Sequence, residues 1–111
     1  MGAPSIGSVV MVPFPYSDLS QSKLRPVVVL ADAERGDWVL CQITSKPYSD
    51  SRAVKLTDAD FESGSLQLVS YARPGKLFTG NETNFRREVG VLKSASLQRV
   101  RQAASDLLQG K

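Results

Sequence analysis

Apolar residues come in short, separated runs along most of this chain and change their spacing only near its end. Val9-Val10-Met11-Val12-Pro13-Phe14 is a β-branched run that gives way to the turn-rich stretch PYSDLSQSK. Pro26 to Ala31 and Asp37 to Thr44 read as the next two strands, with AERGD as the turn between them. Leu66 to Tyr71 alternates weakly and Glu88 to Leu92 supplies a short closing strand, while Ala53 to Leu56 and Lys76 to Thr79 read as further short strands. From Lys93 the period becomes helical. Leu97, Val100, Ala104, Leu107 and Leu108 fall on one face, Ser94 or Ser96 is available as N-cap, and Gly110 stands just past the end. A helix this short is marginal alone and needs a sheet to cover its apolar stripe. The pattern predicts a single domain over residues 1–111, mainly β (α+β): a small, mostly antiparallel, curled sheet or barrel with a C-terminal amphipathic helix. The first six residues and Gly110-Lys111 are expected to be loose.

Composition narrows the chemistry. A chain of 111 residues can bury about two-thirds of its unfolded surface, so folding requires no metal or disulfide. The only cysteine, Cys41, lies in the apolar run WVLCQI and reads as a packed, reduced thiol of a cytoplasmic protein. MGAPSIGS lacks the layout of a secretory signal, and no apolar run approaches a membrane span. The sequence contains no histidine, which excludes Ser-His-Asp and Cys-His catalysis and removes the commonest metal ligand. No metal and no cofactor are therefore expected. The net charge of +3 permits an anionic partner without requiring one.

Two places could carry chemistry. Along Asp37 to Thr44, Trp38, Leu40, Gln42 and Thr44 share a face that turns polar and runs into Ser45-Lys46. From the residues alone the favoured reading is the plain one, with Thr44 a β-former closing a strand and Ser45-Lys46-Pro47 a simple turn. Arg25 stands directly before Pro26 and an all-apolar run, where an arginine ordinarily points to water. Lys46, Arg52, Arg73, Lys76, Arg86 and Arg87 are further cations, most of them in expected loops. Tyr48, Tyr71, Phe78 and Phe85 lie near them and could stack on unpaired bases, although core packing is the commoner use.

Taken in order, Ile6-Gly7-Ser8-Val9-Val10-Met11-Val12-Pro13-Phe14-Pro15, Arg25-Pro26-Val27-Val28-Val29-Leu30, Gln42-Ile43-Thr44-Ser45, Tyr71-Ala72-Arg73-Pro74-Gly75-Lys76-Leu77 and Val89-Gly90-Val91-Leu92 resemble the MazF/PemK family of toxins from type II toxin–antitoxin systems. The resemblance runs from about Ile6 to Leu108. It implies a small SH3-like antiparallel barrel of the MazF/PemK/CcdB type, a homodimer, and a sequence-specific endoribonuclease that cuts single-stranded RNA, commonly mRNA. It also implies a small acidic antitoxin that blocks the RNA groove, with promoter DNA bound only through the antitoxin complex. No membrane partner is expected.

On this resemblance Arg25 and Thr44 are the catalytic residues. Arg25 would stabilise charge on the phosphorane, and Thr44 would hydrogen-bond the scissile phosphate or the attacking 2′-hydroxyl. Ser45, Lys46, Asp18, Arg73 and Arg86 are the expected substrate-binding residues. Two departures from some PemK-type members stand out. Leu19-Ser20 occupies the place of a His-Glu pair, and Ser70 and Ala72 stand where an arginine and an aspartate are found. They leave the general base unassigned, with Asp18 a weak substitute. CcdB-like gyrase poisons share the fold but rely on a tryptophan near the C-terminus, and here the only tryptophan is Trp38.

Overall fold

The computed structural model describes residues 4–15 and 22–111. Its strands are β1 (Ser8–Pro15), β2 (Ser22–Glu34), β3 (Asp37–Thr44), β4 (Val54–Leu56), β5 (Phe61–Gly64), β6 (Ser70–Asn81) and β7 (Arg87–Leu92), followed by the helix α1 (Ser94–Leu108). All pairings are antiparallel, in the order β4-β6-β3-β2-β1-β7-β5, and the sheet curls into a half-barrel.

The apolar runs are continuous because the central strands are covered on both faces. Val9, Val28, Cys41, Ile43 and Ala72 face Leu56, Phe61, Leu92 and Val100 of α1. Val10, Val12, Val27, Val29 and Leu40 face the other way and pack with Phe85, Phe14, Trp38 and Phe78. Phe14 and Phe78 meet edge to face, with centroids 5.2 Å apart and planes at 87°. No described helix is long and apolar enough to cross a membrane.

β3 has the bounds read from the sequence; other elements differ for physical reasons. Leu66 to Tyr71 and Lys76 to Thr79 are not two strands. Ser70–Asn81 is one strand whose ladder to β3 is interrupted: Cys41 pairs with Leu77 but Ile43 pairs with Ala72, so Arg73 to Lys76 bulge out. Pro74, which has no N–H to donate, is tolerated in such a bulge. The Cys41 thiol donates to the Arg73 carbonyl (3.2 Å), and burial pushes its pKa up to about 12.

β5 was not expected, because FESG lacks β-branched residues. Phe61 anchors it in the core, and two glycines admit its backbone beside β7. A Cβ on Gly64 (φ +69°) would lie 2.1 Å from the Val89 carbonyl oxygen, and one on Gly90 would lie 2.7 Å from the Phe61 ring.

Neither Ser94 nor Ser96 caps α1. Lys93 occupies the cap position with extended backbone, and the Ser96 hydroxyl instead donates to Asp60 Oδ1 at 2.8 Å. The end of the chain is tied rather than loose: Gly110 N donates to the Leu107 carbonyl and Lys111 N to the Asp106 carbonyl. Near the start, the Ser5 amide donates to Ser8 Oγ.

Candidate active site

Arg25 sits on β2 directly opposite Val12 of β1, and its neighbour Pro26 is opposite Met11. The β2–β3 ladder pairs Val27 with Gln42 and Val28 with Cys41, so the same register carried two residues further brings Arg25 level with Thr44. Thr44 is also the last residue of β3 paired to β6, opposite Tyr71. The arginine at the mouth of the valine run and the hydroxyl at the end of the next strand are thus brought together by strand register.

Both line a groove of about 870 Å³ at this end of the sheet. Lys23, Arg25, Lys46 and Arg87 are its cations, and Glu88 is the one carboxylate among its described lining residues. Arg25 is half-buried, whereas Lys23, Lys46 and Arg87 are exposed. A concave surface with this imbalance concentrates anions. Thr44 Oγ1 accepts a hydrogen bond from the Lys46 amide at 3.2 Å. That bond fixes the side chain and leaves its hydroxyl proton free to be donated into the groove. Ser45 lines the same groove, and so do Ser65, Leu66, Gln67 and Leu68.

The other expected residues are placed differently. Asp18, Leu19 and Ser20 lie outside the described residues. Arg73 does not line the groove: its Nε donates to Asp50 Oδ2 at 3.0 Å, and its guanidinium carbon lies 5.8 Å from the Tyr48 ring centroid. The Arg52 amide and the Arg73 side chain together hold the Asp50 carboxyl below the usual carboxylate range. Arg86 does not line the groove either. Its amide donates to the Met11 carbonyl at 2.9 Å and its Nη1 to the Thr83 carbonyl at 3.4 Å. Arg87, paired with Met11, is the cation that β7 contributes. Ser70 lines the groove with its hydroxyl donated to the Leu68 carbonyl, while Ala72 is fully buried in the core.

Lys23 was not read as a candidate, while Tyr48 and Arg87 were named only among several aromatics and cations that could meet an anionic partner. Strand alternation would have found Lys23, because it shares a strand face with Arg25 once β2 begins at Ser22. Among the described residues no cluster of three acidic, cysteine or histidine side chains could hold a metal ion.

The fold recurs in solved toxins. A chain of the MazE–MazF complex from Deinococcus radiodurans superposes with a TM-score of 0.77 at 20% identity, covering 100% of both chains. An endoribonuclease in complex with its cognate antitoxin from a mycobacterial species gives 0.74 at 17% identity, over 98% of this chain and 96% of that one. The Mycobacterium tuberculosis toxin MazF-mt6 gives 0.67 at 16% identity, over 92% and 96%. No curated protein sequence matches the chain. The family described as PemK-like, MazF-like toxins of type II toxin–antitoxin systems matches residues 5–108, and with nearly its whole length covered the chain belongs to that family.

Proposed function

We propose that this toxin is an endoribonuclease that cuts single-stranded RNA in the Arg25–Thr44 groove without a metal ion. The observation that carries the reading is the meeting of Arg25, Thr44, Ser45 and Lys46 on one cation-rich groove. The solved relatives named above include two described as an endoribonuclease and as MazF, which supports it.

The nucleophile comes from the RNA. The ribose 2′-hydroxyl attacks the adjacent phosphorus, a P–O bond forms as the 5′-oxygen leaves, and the products carry a 2′,3′-cyclic phosphate and a 5′-hydroxyl. The Arg25 guanidinium offers several donors in a fixed fork to the phosphorane oxygens. Its pKa makes it a poor base, so its contribution is electrostatic, with a proton available for the leaving oxygen. The Thr44 hydroxyl donates to a non-bridging phosphate oxygen or holds the 2′-hydroxyl in line, and Lys46 and Arg87 bind flanking phosphates.

The consequences for the cell follow the family: a cytoplasmic homodimer that arrests translation and growth, silenced by an acidic antitoxin that covers the groove. Promoter DNA is reached only through that complex.

The test is incubation of the purified protein with a long RNA in excess EDTA, with both product ends mapped. Removing one well-placed donor to a developing oxyanion costs about two to three orders of magnitude in rate. Arg25→Ala should therefore cut at least about a hundredfold more slowly with an unchanged melting temperature; full activity in that variant refutes the assignment.

A second reading is a module that binds RNA without cutting it. One observation favours it: Glu88, the one carboxylate among the described lining residues, has Oε1 taken by the Ser8 hydroxyl at 2.7 Å. Tight RNA binding with no product after long incubation would decide for it.

A further inference from the structure

Tyr48 is a large aromatic side chain left 69% exposed on the wall of the groove. A ring of this size is ordinarily drawn into the core, and here two separate sets of contacts hold it out instead. The first is in the backbone. Tyr48 (φ 54°) and Ser49 (φ 62°) are consecutive left-handed residues, a conformation that side chains with a Cβ adopt at a cost and keep only where the surroundings impose it. The surroundings do so: the Asp50 amide donates to the Pro47 carbonyl at 3.0 Å, and the Ala53 amide to the Asp50 carbonyl at 3.2 Å. Asp50 Oδ1 in turn accepts from the Arg52 amide at 2.9 Å.

The second set is behind the ring. The Arg73 guanidinium lies over it at 5.8 Å, within cation–π range, and is itself pinned by Asp50 at 3.0 Å. The Arg73 and Asp50 side chains are only 21% and 16% exposed, so this support is well shielded from water. The cation lies over the ring, and the exposure of the side chain leaves it accessible to solvent beside the groove. Tyr48 follows Thr44 by four positions in the chain, so their Cα atoms lie within about 14 Å of each other. Lys46, between them, supplies a charge for the phosphate in the intervening stretch.

We infer that Tyr48 is a stacking platform for an unpaired base flanking the scissile phosphate, and that Arg73 positions it from behind rather than touching RNA. This rests on the reading of the groove as an RNA site. Every base has a π-face, so the platform contributes affinity and registers the strand without selecting sequence by itself. It also accounts for Arg73, which sequence reading had placed on the substrate. Its guanidinium is committed to the carboxylate and the ring.

The experiment measures binding of a fluorescein-labelled, single-stranded oligonucleotide pool lacking every 2′-hydroxyl, which cannot be cut. Tyr48→Ala, Tyr48→Phe, Tyr48→Trp, Arg73→Met and the double variant Tyr48→Ala/Arg73→Met are compared with the wild type, each checked by thermal melting and by its mass in solution. Loss of one base–aromatic stack should weaken binding roughly ten- to a hundredfold in Tyr48→Ala. Phe and Trp should keep affinity within about threefold, because the ring and not the hydroxyl is used. Arg73→Met should weaken binding in the wild-type background and add nothing to Tyr48→Ala, the signature of a group acting through another.

Affinity of Tyr48→Ala within twofold of the wild type overturns the proposal. So does a Phe variant as weak as Ala, an Arg73 effect that adds fully to that of Tyr48, or a Tyr48→Ala protein whose oligomeric state has changed. Absence of binding by the wild type overturns it together with the RNA reading. Wild-type cleavage, followed on the long RNA, is scored separately: binding without cleavage removes the nuclease and leaves the platform standing.

Discussion

Asp60 ties α1 to the sheet, and replacing it should show how. Its Oδ1 accepts from Ser96 Oγ at 2.8 Å and from Arg99 Nη2 at 2.6 Å, and its Oδ2 accepts from the Thr57 amide at 2.7 Å. Ser96 is buried, so Asp60→Ala leaves a hydroxyl without its acceptor as well as removing two hydrogen bonds to a charged group, each worth about 1.5 kcal/mol. The Arg99 side chain is 52% exposed, so that ion pair adds no more than about 0.5 kcal/mol. The expected loss is about 3 kcal/mol, equivalent to about 12 °C in melting temperature for a chain of this size. Urea and thermal unfolding at pH 7, followed by circular dichroism, measure it. Arg99→Met should cost under about 1 kcal/mol in the same assay. If Arg99→Met costs as much as Asp60→Ala, the exposed ion pair rather than the shielded hydrogen bonds is the tie, and the reasoning fails.

The pH dependence supplies an independent check. Burial opposes ionisation of Asp60, yet the Thr57 amide, the Ser96 hydroxyl and the Arg99 guanidinium outweigh it and hold its carboxyl below the usual range. A carboxyl depressed in the folded state stabilises the protein fully above its unfolded pKa of about 4 and loses that contribution as pH falls through the folded value. The stability gap between wild type and Asp60→Asn should therefore be flat from neutral pH down to about 5 and close below 4. A gap that persists unchanged at pH 2 contradicts the assignment.

Three further outcomes can be measured directly. Thr44→Val should cut RNA at least about tenfold more slowly, while Thr44→Ser retains most of the rate; equal rates in Val and wild type would remove the hydroxyl from the chemistry. Gly64→Ala should destabilise the fold by several kcal/mol or prevent folding, since its Cβ would collide with the Val89 carbonyl at a left-handed φ; an unchanged urea midpoint would contradict the close β5–β7 approach. Cys41, with its pKa pushed up to about 12 by burial, should resist an aromatic disulfide reagent at pH 8 until denaturant is added; labelling of the native protein would show the core opening there.

The parts of the fold legible in the sequence were those governed by local pattern. β3 and the helical stripe of α1 were read from periodicity, and Arg25 and Thr44 from their place in a family pattern. β5 was not legible because FESG forms a strand only through a distant partner, the glycine-relieved edge of β7. The unity of β6 was hidden by Arg73-Pro74-Gly75-Lys76, which reads as a turn and is a bulge within one strand. At the site, Arg87 rather than the expected Arg86 lines the groove, because β7 begins at Arg87 opposite Met11 and Arg86 precedes the strand. The tie between Arg73 and Asp50 was not legible because the two residues are 23 positions apart and no local pattern links them.

The strand order also dictates when the groove can exist. β1, β2 and β3 are neighbours in both sequence and space, so Arg25 and Thr44 can be brought level by two early hairpins. The other side of β1 must wait for β7, whose first residue is Arg87, and pairings this distant in sequence are slow to form. During vectorial synthesis, from the addition of Thr44 until that of Arg87, a nascent chain therefore carries both Arg25 and Thr44 with one edge of the sheet unfilled. A chain ending at Arg86 should leave the β1 amides that face β7 open to hydrogen exchange. The late arrival of β7 delays the finished groove until most of the chain has been made.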